Sequence, residues 1–93
     1  MPAAPKLIYI FFSNQAIADL EYWGKHNPEK LVKIQLLIDD IMKNPRQGIG
    51  LPKPLKYSLE GLWSRRITVE HRLVYSFDKK TLNIIQARHH YED

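Results

Sequence analysis

The pattern of hydrophobic and polar positions predicts strands at both ends of the chain and helices between them. Residues 6–12 (KLIYIFF) are β-branched and aromatic, are bounded by Pro5 and Ser13, and predict a strand. Because this run is almost continuously apolar, we expect burial on both of its faces and hence a central position in a sheet.

Two helices are predicted between this strand and the middle of the chain. Ser13 can cap a helix that runs to about Lys25. Residues 27–28 (NP) predict a second start, with Asn as the N-cap and Pro at the first helical position. One apolar stripe follows at helical spacing, formed by Leu31, Ile34, Ile38 and Ile41. Residues 44–45 (NP) end this helix, because a residue before proline disfavours the α conformation.

The second half predicts a loop and then strands. Glycine and proline punctuate residues 45–61, with a short extended piece expected at 55–59. Strands are predicted over 62–68, 71–77 and 81–89, the first two forming a tight hairpin. The order β-α-α-(β)-β-β-β predicts one small α+β domain with a mostly antiparallel sheet against a helical hairpin. Residues 1–5 are expected to be a disordered leader.

Composition narrows the class of protein. The 93 residues include no cysteine, which excludes disulfides and Cys-ligated zinc. The N-terminus lacks the pattern of a signal peptide, and no apolar run reaches the ~20 residues that cross a bilayer. We therefore expect a cytoplasmic protein with no membrane partner.

The positive charge is concentrated in the second half. The net charge is +4; residues 45–93 carry nine Lys or Arg against five acids, whereas residues 1–44 carry five of each. A merely soluble surface would have to explain this asymmetry, and a polyanion partner is the simpler explanation.

Arginines on the predicted hairpin suggest an anion site. If the turn centres on Val69, then Arg66 and Arg72 face each other across the two strands. Two facing guanidiniums repel unless an anion lies between them. The alternative, that either arginine simply points to solvent, is left open.

The terminal residues add titratable chemistry. Alternation along the last strand puts Arg88 and His90 on one face, with His89 and Tyr91 on the other. Adjacent histidines make a poor chelate, so we expect neither metal nor cofactor. A terminal histidine is commonly a solvated surface group, but one beside several arginines is suited to acid–base work. Cleavage of RNA needs a proton acceptor, a stabiliser of phosphorane charge and a proton donor, and these residue types are present.

Two motifs are specific enough to indicate a family. Residues 64–67 (SRRI) and 70–75 (EHRLVY) lie within a longer block, 48–75, and a His-Tyr pair follows at 90–91. This pattern resembles the YoeB-type toxins of the RelE superfamily over nearly the whole chain after residue 5. The resemblance implies an mRNA interferase that cuts messenger RNA in the A site of the 30S/70S ribosome. It also implies a YefM-type antitoxin, with operator DNA bound only by the toxin–antitoxin complex.

The resemblance also implies roles for individual residues. Lys56, Arg66 and Arg72 would contact or stabilise the scissile phosphate. His90 would be the general acid, and Tyr91 would support substrate placement.

Three further residues are assigned around this set. Glu70 corresponds to a family carboxylate that orients an arginine, whereas Arg65 and Arg88 are predicted as additional RNA contacts.

The chain departs from the family at the expected general base. YoeB-type sequences carry a glutamate in the loop where this chain has Lys53. A lysine is mostly protonated at neutral pH and cannot accept a proton as a carboxylate does. Lys53 is thus an alternative base, an extra phosphate clamp or the mark of a weakened enzyme, and we favour a lysine-assisted enzyme. Glu92 and Asp93, which extend the chain past the His-Tyr pair, are expected to have little effect.

Two other functions compete with the ribonuclease. One is a non-catalytic protein of the same fold that acts as a corepressor with its antitoxin on DNA, and Lys53 favours it. The other is an RNA-binding module without an antitoxin. The joint presence of Arg66, Arg72, His90 and Tyr91 favours the enzyme.

Overall fold

The computed structural model describes residues 6–90, which form five strands, two helices and one 3₁₀ turn. In chain order these are β1 (Tyr9–Phe12), α1 (Asn14–His26), α2 (Glu29–Lys43), β2 (Lys53–Pro54), the 3₁₀ turn (Tyr57–Leu59), β3 (Trp63–Arg66), β4 (Arg72–Phe77) and β5 (Thr81–Gln86). The leader predicted at residues 1–5 and the end of the chain from Tyr91 lie outside the described residues.

The capping signals predict the start of α1 and the end of α2, whereas the predicted N-cap of α2 is wrong. The Ser13 hydroxyl accepts a hydrogen bond from the Ala16 N–H (3.0 Å) and caps α1, as predicted. The N-cap of α2 is Pro28, without a side-chain hydrogen bond, rather than Asn27. The Asn27 carbonyl instead accepts from the Lys30 N–H at 2.9 Å. The last residue of α2 is Lys43, where the following Asn-Pro pair predicts the end.

The sheet has the strand order β1-β5-β4-β3-β2 and confirms the α+β class. Strands β2 to β5 pair antiparallel, whereas β1 pairs with β5 in parallel. The central position predicted for residues 6–12 is therefore wrong, because β1 is an edge strand. All four residues of β1 are exposed, and Phe11 keeps 63% of its surface accessible.

One face of the sheet packs on the helices. The core cluster consists of Leu7, Ala16, Trp23, Ile34, Leu37, Ile38, Ile41, Ile67, Leu73, Tyr75, Leu82, Ile84 and Ala87. It includes three of the four residues of the predicted α2 stripe and adds Leu37. The helices thus leave the second face of the sheet for other contacts.

Two loop predictions need correction. Residues 55–59 are not extended, because the strand lies at 53–54 and Tyr57 begins a 3₁₀ turn with a φ of 58°. The last strand ends at Gln86 rather than at residue 89, and His89 has a φ of 71°. Within residues 6–90, neither helix is long and apolar enough to span a membrane.

Candidate active site

Strand register places basic residues on the face of the sheet away from the helices. Lys53 pairs with Ser64, and Arg66 pairs with Arg72. Paired residues share a face, as do residues two apart on one strand, so these four side chains lie on the same face. We call it the polar face.

Arg66 and Arg72 are direct cross-strand partners, which confirms the predicted pairing. The Arg72 Nη1 donates to the carbonyls of Thr68 (2.9 Å) and Val69 (2.8 Å), and so fixes the guanidinium against the hairpin turn. Burial, and then the charge of Arg66, lower the pKa of Arg72 below its usual value. An anion bound between the two guanidiniums would offset their repulsion.

Lys53 lies on the polar face, and the exposed Lys56 follows it in the segment that precedes β3. Lys53 lies on β2 opposite Ser64, which precedes Arg66 by two residues on β3. Two residues span roughly 7 Å along a strand. Leu55 is buried, and its N–H donates to the Leu62 carbonyl (2.9 Å), which anchors the segment between the two lysines. Both lysines are exposed. The loop therefore carries its two cations on an anchored backbone.

The C-terminal segment is fastened beside Arg72. The Arg72 N–H donates to the His89 carbonyl at 2.8 Å, and the exposed His90 follows directly. The prediction that alternation sorts Arg88 and His90 onto one face is wrong, because β5 ends before them and the backbone turns at His89. Tyr91 lies outside the described residues.

The position of Arg65 does not fit the predicted RNA contact. Its side chain is fully buried on the helix side of β3 and uses all five N–H donors within the protein. The Nε donates to the Tyr75 hydroxyl (3.2 Å), and Nη1 donates to a carboxylate oxygen of Asp40. The other three donors reach backbone carbonyls, those of Asn44 (2.7 Å), Gln47 (3.0 Å) and Ile49 (3.1 Å).

Arg65 therefore holds the loop between α2 and β2 rather than a phosphate. Burial alone would raise the pKa of Asp40, but hydrogen bonds from Arg65 and the Ile49 N–H, with the charges of Arg65 and Lys43, hold that pKa below its usual value. The Tyr75 hydroxyl in turn donates to the Pro45 carbonyl at 2.7 Å. The structural role of Arg65 was not predicted from the sequence, where the available signal is the strand alternation that places Arg65 and Arg66 on opposite faces.

Arg88 also has a contact within the protein. Its guanidinium carbon lies 3.4 Å from the centre of the Tyr22 ring, a cation–π arrangement on α1.

Glu70 lies exposed in the hairpin turn, where its backbone N–H donates to the Thr68 hydroxyl (3.1 Å). Across residues 6–90, no three His, Asp or Glu side chains cluster as metal ligands would.

Comparison with known proteins assigns the family. Residues 12–91 match the model of a YoeB-like toxin of bacterial type II toxin–antitoxin systems. Toxin YoeB from Synechocystis sp. is 52% identical over 71 residues, which cover 75% of this chain and 83% of that protein. The chain belongs to the YoeB family. It is accordingly a toxin of a type II toxin–antitoxin system within the YoeB/RelE group.

Solved structures of YoeB relatives share the fold. A YoeB/ParE toxin from Agrobacterium tumefaciens superposes with a TM-score of 0.85 at 36% identity, covering 90% of this chain and all of that one. The toxin in the YoeB-YefM complex from Staphylococcus aureus superposes with a TM-score of 0.82 at 41% identity, covering 90% and 98% of the two chains. The polar face described above thus belongs to a YoeB-type fold.

Proposed function

We propose that this YoeB-family toxin is a metal-independent endoribonuclease that cleaves ribosome-bound mRNA by attack of a 2′-hydroxyl on the scissile phosphate. Toxins of the YoeB/RelE family are generally ribonucleases. The observation that carries the proposal is the pairing of Arg66 with Arg72 on the polar face, with the His89–His90 segment bonded to the Arg72 backbone.

The phosphate site is formed by the two arginines and the loop lysines. Arg66 and Arg72 would hold the non-bridging oxygens, where charge grows as the phosphorane forms. Their mutual repulsion is greatest in the empty site, so binding a dianionic transition state relieves more strain than binding the monoanionic substrate. Lys56 would contact the same phosphate from the loop.

The reaction needs one group to protonate the leaving 5′-oxygen and another to assist at the 2′-hydroxyl. His90 would protonate the leaving 5′-oxygen, and Tyr91 would help to place the substrate. Lys53 would assist at the 2′-hydroxyl, as a base or by holding phosphate charge. Glu70 would orient an arginine of the hairpin, and Arg88 would contribute to RNA binding from the C-terminal segment.

The proposed partners are those that the family membership supports. The complex from Staphylococcus aureus pairs a YoeB with a YefM, so we propose that a YefM-type antitoxin binds this chain. Messenger RNA in the ribosomal A site would be the substrate, operator DNA would be bound only by the toxin–antitoxin complex, and the site of action would be the cytoplasm.

The test is cleavage of a defined mRNA on programmed ribosomes. We expect products that end in a 2′,3′-cyclic phosphate and a 5′-hydroxyl, and no cleavage where the attacking nucleotide is 2′-deoxy. Arg72→Ala and His90→Ala are each expected to reduce the rate by about 10²–10³-fold. Lys79→Ala, in the β4–β5 turn far along the sheet from Arg72, is the matched loss of one cation and should cleave normally. Undiminished cleavage by both site variants would contradict the proposal.

A second function, an inactive corepressor that acts only with its antitoxin on DNA, is favoured by one feature, Lys53 at the position of the family's glutamate. The Lys53→Glu variant distinguishes the ribonuclease from the inactive corepressor. An increase in cleavage would mean that the base is missing in the native chain, whereas a decrease would mean that Lys53 itself takes part. A native chain and a Lys53→Glu variant that are both inactive on ribosomes, while the antitoxin complex still binds operator DNA, would support the corepressor.

A further inference from the structure

His71 joins the hairpin to the C-terminal segment. It lies between the turn and β4, next to Arg72 in the sequence, and its Nδ1 accepts a hydrogen bond from the His89 backbone N–H at 2.9 Å. Only a ring that is unprotonated at Nδ1 can accept this bond, so the ring is neutral with its proton on Nε2.

The residue that donates this bond has an unfavourable backbone conformation. His89 has a φ of 71°, in the left-handed region that side chains disfavour. Such a conformation persists where the surrounding structure holds it. Two consecutive residues do so here: His71 accepts the N–H of His89, and the Arg72 N–H donates to the carbonyl of His89 at 2.8 Å.

The ring of His71 is itself held in place. Trp23 of α1 meets it edge to face, with ring centres 4.9 Å apart and planes at 86°. The Trp23 indole N–H donates to the Ala87 carbonyl at 2.7 Å, just before the C-terminal turn. His71 and the turn are thus fixed to the same helix residue.

Burial keeps the ring in the accepting form, because it is the largest cause that lowers the pKa of His71. The charge of Glu70 raises this pKa in opposition, and the charges of His89, Arg88 and Lys30 lower it further. Protonation would place a second donor opposite the His89 N–H and break the bond.

We propose that His71 is a positioning residue, which acts through the His89 backbone to hold His90 beside Arg72. The inference rests on the proposed ribonuclease function. His71 touches no reacting atom in this scheme; it sets the backbone turn from which the proton donor projects. A donor displaced by about 1 Å costs on the order of 10²-fold in rate.

The test compares two substitutions of similar size at one position. His71→Leu fills the space beside Trp23 but accepts no hydrogen bond. His71→Asn places an amide oxygen near the position of Nδ1 and does not titrate. We expect His71→Leu to reduce single-turnover cleavage by about 10²-fold with RNA affinity within twofold of the native toxin, and His71→Asn to recover most of that loss.

Two further readouts separate positioning from a general loss of structure. Hydrogen exchange of the His89 amide should speed up in His71→Leu and remain protected in His71→Asn, while urea unfolding midpoints show that both variants fold. As the pH falls through the lowered pKa of His71, the native toxin should lose rate more steeply than His71→Asn, because only the native residue becomes protonated.

The outcomes distinguish this inference from the proposed function. A native toxin that does not cleave RNA overturns the ribonuclease proposal itself. An active native toxin with a fully active His71→Leu variant overturns the positioning role alone, as does an equal loss in the Leu and Asn variants. Loss in Leu with recovery in Asn, matched by His89 exchange, supports it.

Discussion

Replacing Arg65 tests whether its buried guanidinium stabilises the fold by holding the loop between α2 and β2. Arg65→Met removes a cation that satisfies five acceptors, among them the Asp40 carboxylate and the Tyr75 hydroxyl. Arg65→Lys keeps the charge but offers three donors from a single nitrogen, so at least two of the five acceptors lose their partner. Arg66→Lys is the matched control, because the neighbouring arginine is exposed on the other face.

The expected losses follow from these contacts. Removing one partner of a buried ion pair costs about 3–5 kcal/mol, so Arg65→Met should lose about that amount of unfolding free energy. Full additivity of five hydrogen bonds is not expected, because the Asp40 side chain keeps 30% of its surface exposed and water can reach it. Arg65→Lys should lose about 2 kcal/mol, roughly 1 kcal/mol for each abandoned acceptor. The control should change by less than about 0.5 kcal/mol.

Urea unfolding followed by tryptophan fluorescence measures these differences, since Trp23 is buried and Trp63 half-buried in the fold. A loss of about 2 kcal/mol would also lower Tm by roughly 8–16 °C. The reasoning is refuted if Arg65→Met unfolds within 1 kcal/mol of the native chain. If that variant were instead fully stable but bound RNA weakly, the result would support the RNA contact that the sequence predicted for Arg65.

Two other predictions concern the same loop. Because the pKa of Asp40 is lowered in the fold, its contribution to stability is present above about pH 3.8 and is lost as the pH falls through the lowered value. Asp40→Asn should therefore flatten the acid limb of stability against pH, and an unchanged limb in urea titrations would contradict this. Gly50→Ala and Gly61→Ala both strain a positive φ (80° and 94°), but only at Gly50 would the new Cβ approach a side chain, Leu37, at 2.7 Å. We expect Gly50→Ala to lose about 1–3 kcal/mol more than Gly61→Ala in thermal unfolding, and equal losses would argue against close packing of the loop.

Local signals in the sequence determined much of this fold. Ser13 and residues 44–45 act within one or two residues of their own position, so the start of α1 and the end of α2 could be predicted. The hairpin was predictable for the same reason, because a tight turn brings Arg66 opposite Arg72. Motifs in this hairpin also indicated the family, which the comparisons confirm.

The position of β1 in the sheet depends on pairing with a strand that is distant in the sequence. A run of apolar residues predicts a strand, but it does not say which strands lie beside it. Among residues 6–90, β1 pairs on one side, with β5 from the far end of this range. The apolar pattern predicted burial, whereas the sheet order leaves the strand at an edge.

Arg65 and Arg66 were both predicted to contact RNA or its phosphate, but the tertiary structure buries Arg65 and exposes Arg66. Alternation along β3 requires Arg65 and Arg66 to face opposite ways, but not which one faces inward. Asp40 on α2 decides it, because a buried guanidinium needs a paired carboxylate and enough acceptors. The sequence thus determined that a basic hairpin exists in a YoeB-type chain. The packing of α2 against the sheet determined that Arg66 faces outward on the polar face, where it pairs with Arg72.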